Sequence, residues 1–315
     1  MYMNVLLIGA GGVGIELATS VAKQGANVSI YARGKTAKAI RENGIERTGL
    51  FEHYVIHDVQ VYETYEEIPK KHFDYIFIAA KTTANDDISE NLNRNRDILK
   101  PTTRIIIFQN GFGNDEPYLR YFTSEQVFCG RVITGASRPE RHISEVTIKT
   151  DILLGSLQGE NPECLREIAD LISKSDVNCE ITREIDRYLW AKMLYNCTLN
   201  PLGAILDKTY GQLTENPYTL EIMNNIIDEI FEVINASPYE TLWKSSEEYK
   251  DIFYSKLVPD TYNHYSSTHQ DIQKKIPTEI DSLNGKVIQL GEKYNIDIGT
   301  NKLIYNLIKA IEITF

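Results

Sequence analysis

Short apolar runs rich in β-branched residues alternate with longer helical patterns in the first part of the chain. The clearest runs are residues 5–8, 28–31, 75–80 and 105–108. The stretches that separate them can cross over as helices, so the alternation predicts a parallel α/β sheet. After residue 130 the alternation becomes tighter and turn residues more frequent. This change predicts an antiparallel addition to the same sheet.

Beyond about residue 182 the β-rich runs largely stop and helical spacing dominates. The most regular stretches are residues 184–200, 217–235 and 278–295. We therefore predict two domains: residues 1–182 form a Rossmann domain with a parallel sheet, and residues 183–315 form an all-helical domain. The segment 236–268 is rich in tyrosine, serine and acidic residues, and we expect a short helix followed by a long loop.

The first strand leads directly into a glycine-rich turn. Gly9, Gly11 and Gly14 form GAGGVG between the strand and a helical pattern, which is the Rossmann fingerprint in its expected context. Gly9 permits the tight turn, Gly11 admits a pyrophosphate, and Gly14 allows close packing of helix and strand. With Gly12, these glycines are the predicted cofactor-binding turn. The alternative is a glycine turn that serves packing alone.

The end of the second strand indicates which dinucleotide binds. An NAD site usually carries an acidic residue there, whereas this chain has Arg33 and, two residues later, Lys35. A guanidinium is a bidentate donor suited to a 2′-phosphate, so we predict NADPH as the cofactor. A solvated basic turn is the alternative.

A second cluster of candidate chemistry lies at the start of the helical part. Lys192, Asn196 and Asn200 recur every four residues, which places them in one stripe along a helix beside apolar positions. A buried amide needs a partner, and a polar ligand could provide it. The alternative is that these asparagines bond across to another helix. Pro201 is expected to end or kink the helix at this point.

Charge and composition limit the classes of function. Apolar residues make up 42% of the chain and charged residues 24%, which is typical of a globular protein. The net charge of −11 argues against binding to nucleic acid or to an anionic membrane. Four dispersed cysteines do not form a disulfide framework, and the amino-terminal run resembles a strand more than a signal peptide. We expect a cytoplasmic protein.

Several motifs together resemble the ketopantoate reductase (2-dehydropantoate 2-reductase) family over nearly the whole chain. The matching positions are residues 9–14, Arg33, Lys81 in IFIAAKT, Asn110 in IFQNGFG, residues 192–202, Ser266 and Ser267, Gln270 and Asp271, and residues 278–281. The glycine turn is shared by many proteins. The run that begins at Lys192, combined with the late TEID segment, is much more specific.

The resemblance implies an NADPH-dependent reduction of 2-dehydropantoate to pantoate, a step of pantothenate and coenzyme A synthesis. It makes Lys192 the general acid for the ketone oxygen and places Glu279 beside it as the group that orients it. It also implies roles in binding: Lys81 and Asn110 toward the cofactor, and Asn110, Asn196, Asn200 and Ser267 toward the substrate. Taken alone, Glu279 reads as an ordinary carboxylate in the first turn of a helix.

The resemblance is weakest at residues 264–269, where family members often carry N-x-S-S-M and this chain has HYSSTH. That departure concerns the distal contacts of the substrate, so another branched 2-oxo acid is an alternative substrate. A reductase of the same architecture that forms opine-like products would also fit the motifs, as would a non-catalytic NADPH-binding sensor. We expect no metal, since hydride transfer needs none, and a homodimer is possible.

Overall fold

The computed structural model describes residues 3–315. These residues separate into two compact units. The first unit comprises the described residues up to Gln109 together with Asn114–Ile185, and the second comprises Asn110–Gly113 and Asp186–Phe315. The short segment Asn110–Gly113 thus packs with the helical part of the chain, although it lies far from that part in sequence.

The first unit alternates strands and helices. Its strands are β1 (Asn4–Ile8), β2 (Asn27–Tyr31), β3 (Ile45–Gly49), β4 (Tyr54–Ile56), β5 (Gln60–Tyr62), β6 (Phe73–Ile78), β7 (Leu99–Ile107), β8 (Val127–Val132), β9 (Gly135–Ser137), β10 (Ile143–Ile148), β11 (Ile152–Gly155) and β12 (Cys179–Ile181). Its helices are α1 (Gly12–Lys23), α2 (Gly34–Asn43), α3 (Asn85–Arg94), α4 (Glu116–Leu119) and α5 (Arg166–Ser173).

Eight of these strands form the main sheet, in the order β12-β11-β8-β7-β6-β1-β2-β5. The pairings from β5 across to β8 are all parallel, whereas β11 pairs antiparallel with β8. The predicted parallel sheet is therefore confirmed, and so is an antiparallel addition at one edge. Because parallel strands end at one edge of a sheet, the residues that follow β1, β2 and β6 come close together there.

Strands β9 and β10 do pair antiparallel with each other, but the prediction that they extend the main sheet is wrong. They join β3 and β4 in a separate four-stranded sheet, in the order β4-β3-β10-β9. Strand β10 pairs in parallel with β3, and Ile143 lies opposite Glu46. That pairing spans nearly one hundred residues of sequence, and local alternation carries no information about so distant a partner.

Alternating side chains of β1 pack on opposite faces of the main sheet. Val5 and Leu7 belong to one apolar cluster, and Leu6 and Ile8 belong to another. All four are almost fully buried. A parallel strand covered on both faces reads as a continuous apolar run, which is why this strand is readily predicted from the sequence.

The second unit is helical. Its helices are α6 (Ile185–Leu206), α7 (Tyr210–Thr214), α8 (Pro217–Ala236), α9 (Ser246–Ile252), α10 (Ser267–Gln273), α11 (Asn284–Tyr294) and α12 (Gly299–Glu312). The helical prediction is confirmed. Across residues 3–315, no helix combines the length and the apolar character that crossing a bilayer requires.

The segment predicted as a short helix and a long loop is more ordered than expected. Helix α9 continues into a wider helical turn, Phe253–Leu257, and Pro259–Thr261 forms a further turn before α10. Ser245 caps α9 by accepting a hydrogen bond from the backbone of Glu248. The tyrosines that suggested a loop are partly used for packing, since the fully buried Tyr249 ring lies 5.4 Å from that of Phe253.

Candidate active site

The glycine turn that follows β1 is shaped by close backbone contacts. Gly9 has a φ of +108°, and a side chain there would collide with the backbone of Ala80. A side chain at Gly14 would collide with the carbonyl oxygen of Gly9. At Gly11, by contrast, an added Cβ would meet only one carbonyl oxygen, at 4.0 Å. Packing thus explains Gly9 and Gly14, while Gly11 leaves room for a ligand to approach.

The turn opens onto the amino-terminal end of α1. Gly11 is the capping residue, and no side chain caps the helix. The first backbone N–H groups of a helix have no partner within the helix, and its dipole favours negative charge at that end. These features fit the pyrophosphate of a dinucleotide.

The end of β2 carries the basic residue singled out in the sequence. Arg33 is exposed and occupies the N-cap position of α2 without a side-chain capping bond, and its guanidinium carbon lies 5.9 Å from the centroid of the Tyr31 ring. No acidic residue follows β2, yet Glu63, just after the neighbouring β5, accepts a hydrogen bond from the Gly34 backbone at 2.9 Å. Arg41 pairs with the same carboxylate and lowers its pKa. Sequence reasoning missed Glu63, although its place directly after an alternating run could have indicated it.

Lys81 lies three residues after the end of β6, at the position just before the short helical turn Thr82–Ala84. Strand β6 pairs in parallel with β1, and Ile78 lies opposite Ile8. The two chain segments that leave these strands therefore emerge at the same edge of the sheet. This places Lys81 beside the glycine turn.

The helical unit brings together three of the predicted residues. The Lys192 amine donates a hydrogen bond of 2.7 Å to the side-chain oxygen of Asn110. The amide nitrogen of Asn110 donates in turn to Glu279 at 3.1 Å. Glu279 is only 8% exposed, so its carboxylate is shielded from bulk water. One amide thus connects an amine to a buried carboxylate.

Backbone contacts fix the loop that carries Asn110. Gly111 has a φ of +98°, and an added Cβ would lie 2.5 Å from the hydroxyl oxygen of Ser282. The Ser282 hydroxyl donates to the carbonyl of Asn110 at 3.3 Å, and the Phe112 N–H donates to the Ser282 carbonyl at 3.0 Å. Ser282 lies three residues after Glu279, so one short segment holds both the carboxylate and the loop. Sequence reasoning missed Ser282, for which no local signal exists.

Of the two outcomes expected at Pro201, an end or a kink, the end is wrong, because helix α6 continues to Leu206. A proline inside a helix lacks the N–H that would bond to the carbonyl four residues earlier, here that of Cys197. The Asn284 side chain donates to that carbonyl at 3.2 Å, and Asn284 is fully buried. A tertiary contact therefore replaces the missing helical bond.

The two asparagines of the predicted stripe have different surroundings. The Asn200 side-chain oxygen accepts a hydrogen bond of 2.7 Å from the Tyr210 hydroxyl, so this amide does bond across to another helix. No protein group within residues 3–315 hydrogen-bonds to the Asn196 side chain, although Asn196 is only 8% exposed. Asn196 is thus suited to a polar ligand.

The serine pair lies close to Asn200. Ser266 caps α10, is buried, and donates to the Asn200 carbonyl at 3.0 Å. Ser267, the predicted substrate ligand, is the first residue of α10 and is exposed. Sequence reasoning missed the roles of Ser266 and Tyr210 in holding Asn200.

Two family models cover most of the chain. The model described as ketopantoate reductase PanE/ApbA matches residues 5–159, and its carboxy-terminal counterpart matches residues 184–312. The chain belongs to the ketopantoate reductase family. The resemblance noted from the motifs is thereby confirmed.

Similarity to individual proteins extends over the full length. A 2-dehydropantoate 2-reductase of Aquifex aeolicus is 34% identical over 99% of this chain and 98% of its own. A ketopantoate reductase family structure from Ralstonia eutropha superposes with a TM-score of 0.87 at 21% identity, covering 99% of both chains. A D-mandelate dehydrogenase with NADH and anilino(oxo)acetate gives the same TM-score, identity and coverage. The two structures share the fold of this chain.

Proposed function

We propose that the protein is a cytoplasmic enzyme that reduces 2-dehydropantoate to pantoate with NADPH. The main support for this proposal is the hydrogen-bonded chain from Lys192 through Asn110 to Glu279. It links a proton donor, the Lys192 amine, to a buried carboxylate that helps to position it. Family membership and the Aquifex aeolicus relative, whose name states this activity, support the choice of substrate.

Lys192 is the proposed general acid. Its ammonium stabilises the negative charge that develops on the ketone oxygen and then donates a proton to it. Asn110 accepts one N–H of the amine and so limits the directions in which the others point. Glu279 accepts a hydrogen bond from the Asn110 amide nitrogen and so fixes the amide with its oxygen directed at the amine.

The first unit is proposed to bind the cofactor. The glycine turn at Gly9, Gly11, Gly12 and Gly14 receives the pyrophosphate, and Arg33 receives the 2′-phosphate. Bound NADPH supplies the hydride that reduces the ketone carbon. Lys81 is proposed to contact the cofactor at the same sheet edge. The charge of Glu63 is already compensated by Arg41, which is compatible with a 2′-phosphate nearby.

The substrate is proposed to contact the helical unit through amide and hydroxyl groups. Asn196 is the strongest candidate, since it is buried and bonded to no protein group among residues 3–315. Asn110, Asn200 and Ser267 are the other proposed ligands. These groups can bond to a carboxylate and a hydroxyl, both of which 2-dehydropantoate carries.

Nicotinamide absorbance tests the proposal directly. Purified protein is mixed with 2-dehydropantoate and either NADPH or NADH, and a panel of branched and aromatic 2-oxo acids serves as the comparison. We expect fastest turnover with 2-dehydropantoate and NADPH, and pantoate as the product. Faster turnover of another 2-oxo acid would favour a related reductase. Tight NADPH binding without turnover of any acid would favour the sensor.

A further inference from the structure

Four basic side chains surround the first turn of α2. Arg33 and Lys35 belong to the turn itself, while Arg138 and Arg141 come from the connection between β9 and β10. Among residues 3–315, none of the four has a carboxylate within 4.0 Å. In a chain with a net charge of −11, such a group of uncompensated cations marks a place where an anion would be held.

The two distant arginines converge on one hydroxyl. Arg138 donates to the Thr36 side-chain oxygen at 3.0 Å, and Arg141 donates to the same oxygen at 3.2 Å. Both side chains reach solvent. Protein atoms around the Arg138 guanidinium, together with the charge of Arg141, lower its pKa. Two like charges aimed at one neutral oxygen repel each other, and a bound anion would relieve that repulsion.

Strand β9, which leads into this connection, borders the glycine turn. A Cβ added at Gly12 would lie 2.6 Å from the carbonyl oxygen of Ala136, so β9 packs against the amino-terminal end of α1. Arg138 is the first residue after β9. In Rossmann domains the adenosine half of a dinucleotide extends from this turn toward the end of β2, where Arg33 lies. The arginines therefore lie on the side of the glycine turn where the adenosine half of the proposed cofactor would bind.

We propose that Arg138 and Arg141 are specificity-determining residues that bind the 2′-phosphate of NADPH together with Arg33. This inference rests on the proposed use of NADPH and adds two ligands from the second sheet to the one that follows β2. A phosphate carries two negative charges and several acceptor oxygens, so three guanidinium groups can bond to it at once.

A comparison of two nucleotides isolates the contribution of the 2′-phosphate to binding. 2′,5′-ADP differs from 5′-AMP only by the 2′-phosphate, and calorimetry measures the Kd of each for the wild-type protein, Arg138→Ala and Arg141→Ala. We expect each variant to weaken 2′,5′-ADP about 10- to 100-fold, the effect of one lost charge-assisted bond. Binding of 5′-AMP should change less than about two-fold. Fluorescence titration should show the same pattern for the whole cofactors: each variant should bind NADPH more weakly and NADH almost as the wild type does.

Lys38→Ala is the matched control, because Lys38 lies on α2 but is directed toward Glu42 at 3.8 Å. It should leave both Kd values unchanged. If an alanine variant does not fold, the Kd values are measured for Arg138→Lys or Arg141→Lys in its place, since lysine keeps the charge. An unchanged Kd for 2′,5′-ADP in both arginine variants, or equal weakening of 5′-AMP, would overturn the inference.

The wild-type protein distinguishes the two proposals. If it binds 2′,5′-ADP no more tightly than 5′-AMP, the proposed NADPH preference itself is wrong. If it discriminates strongly, and only Arg33→Ala removes the discrimination, the NADPH proposal stands and the roles of Arg138 and Arg141 are refuted.

Discussion

The Lys192 amine lies 2.7 Å from the side-chain oxygen of Asn110, a residue more than eighty positions earlier in the chain. The contact is direct, and both residues belong to the helical unit. An amine on a flexible side chain becomes an effective acid only when its direction is restricted. A neutral amide achieves this without removing the charge of the ammonium.

Replacing Lys192 by alanine should lower kcat about 10²- to 10⁴-fold, the usual effect of losing a general acid. The Kd for NADPH should change little, because the glycine turn, Arg33 and Lys81 all lie in the other unit. Steady-state kinetics and fluorescence titration measure the two quantities. Lys302→Ala is a suitable control, since Lys302 is exposed on α12 and 3.6 Å from Glu292. Turnover close to that of the control would exclude Lys192 as the acid.

Replacing Asn110 by alanine should lower kcat about 10- to 100-fold, less than loss of the amine itself. The variant keeps the acid but loses the bonds to Lys192 and Glu279, and a bond to a charged group contributes about 1.5 to 3 kcal/mol. Combining it with Lys192→Ala tests the mechanism. If Asn110 acts through Lys192, the double variant should be no slower than Lys192→Ala alone. Additive losses would show that Asn110 acts independently.

Asn196→Ala and Asn200→Ala should behave differently, although the residues are one helical turn apart. Loss of Asn196 should raise KM for the 2-oxo acid about tenfold with little change in Tm, because no protein group among residues 3–315 bonds to its side chain. Loss of Asn200 leaves the buried Tyr210 hydroxyl without its partner and should lower Tm. Kinetics and thermal unfolding measure both effects. A large loss of Tm in Asn196→Ala would contradict the proposed ligand role.

Elements with local signals were predictable from the sequence. Buried parallel strands read as apolar runs, the glycine turn has a fixed spacing, and the stripe from Lys192 to Asn200 follows from helical geometry. These features depend on residues close in sequence. They sufficed to predict the parallel sheet of the first unit and the helices of the second, whereas the role of Lys192 as an acid came from the resemblance to the family.

Features that depend on distant partners were not predictable in this way. The course of α6 through Pro201 requires Asn284, which lies more than eighty residues later. The pairing of β3 with β10 and the contact of Arg138 with Thr36 likewise join segments about one hundred residues apart. Only the folded chain shows which side chains meet, and so which asparagine is left for a ligand.

A buried ionic cluster in the first unit links stability to pH. Arg47 is fully buried and lies 2.9 Å from Asp176 and 3.8 Å from Glu16, which is also fully buried. Removal from water raises the pKa of Glu16 to about 7, despite a hydrogen bond from Ser20 and the charge of Arg47. The folded protein therefore holds the Glu16 proton up to a higher pH than the unfolded chain does.

Replacing Glu16 by glutamine should stabilise the protein increasingly as pH rises. The carboxyl ionises near its ordinary pKa of 4.5 in the unfolded chain and only near 7 in the folded protein. Below pH 4.5 it is neutral in both states, and the wild type has its full free energy of unfolding. That free energy falls as pH rises from 4.5 through 7, because ionisation then favours the unfolded chain. Glutamine stays neutral and accepts the same bond from Ser20. The free energy of unfolding of the variant relative to wild type should grow by up to about 3 kcal/mol from pH 4.5 to pH 8. Thermal unfolding across this range measures the difference, with the exposed Glu42→Gln as control. A difference that stays constant with pH would show that Glu16 ionises as readily in the folded protein as in the unfolded chain.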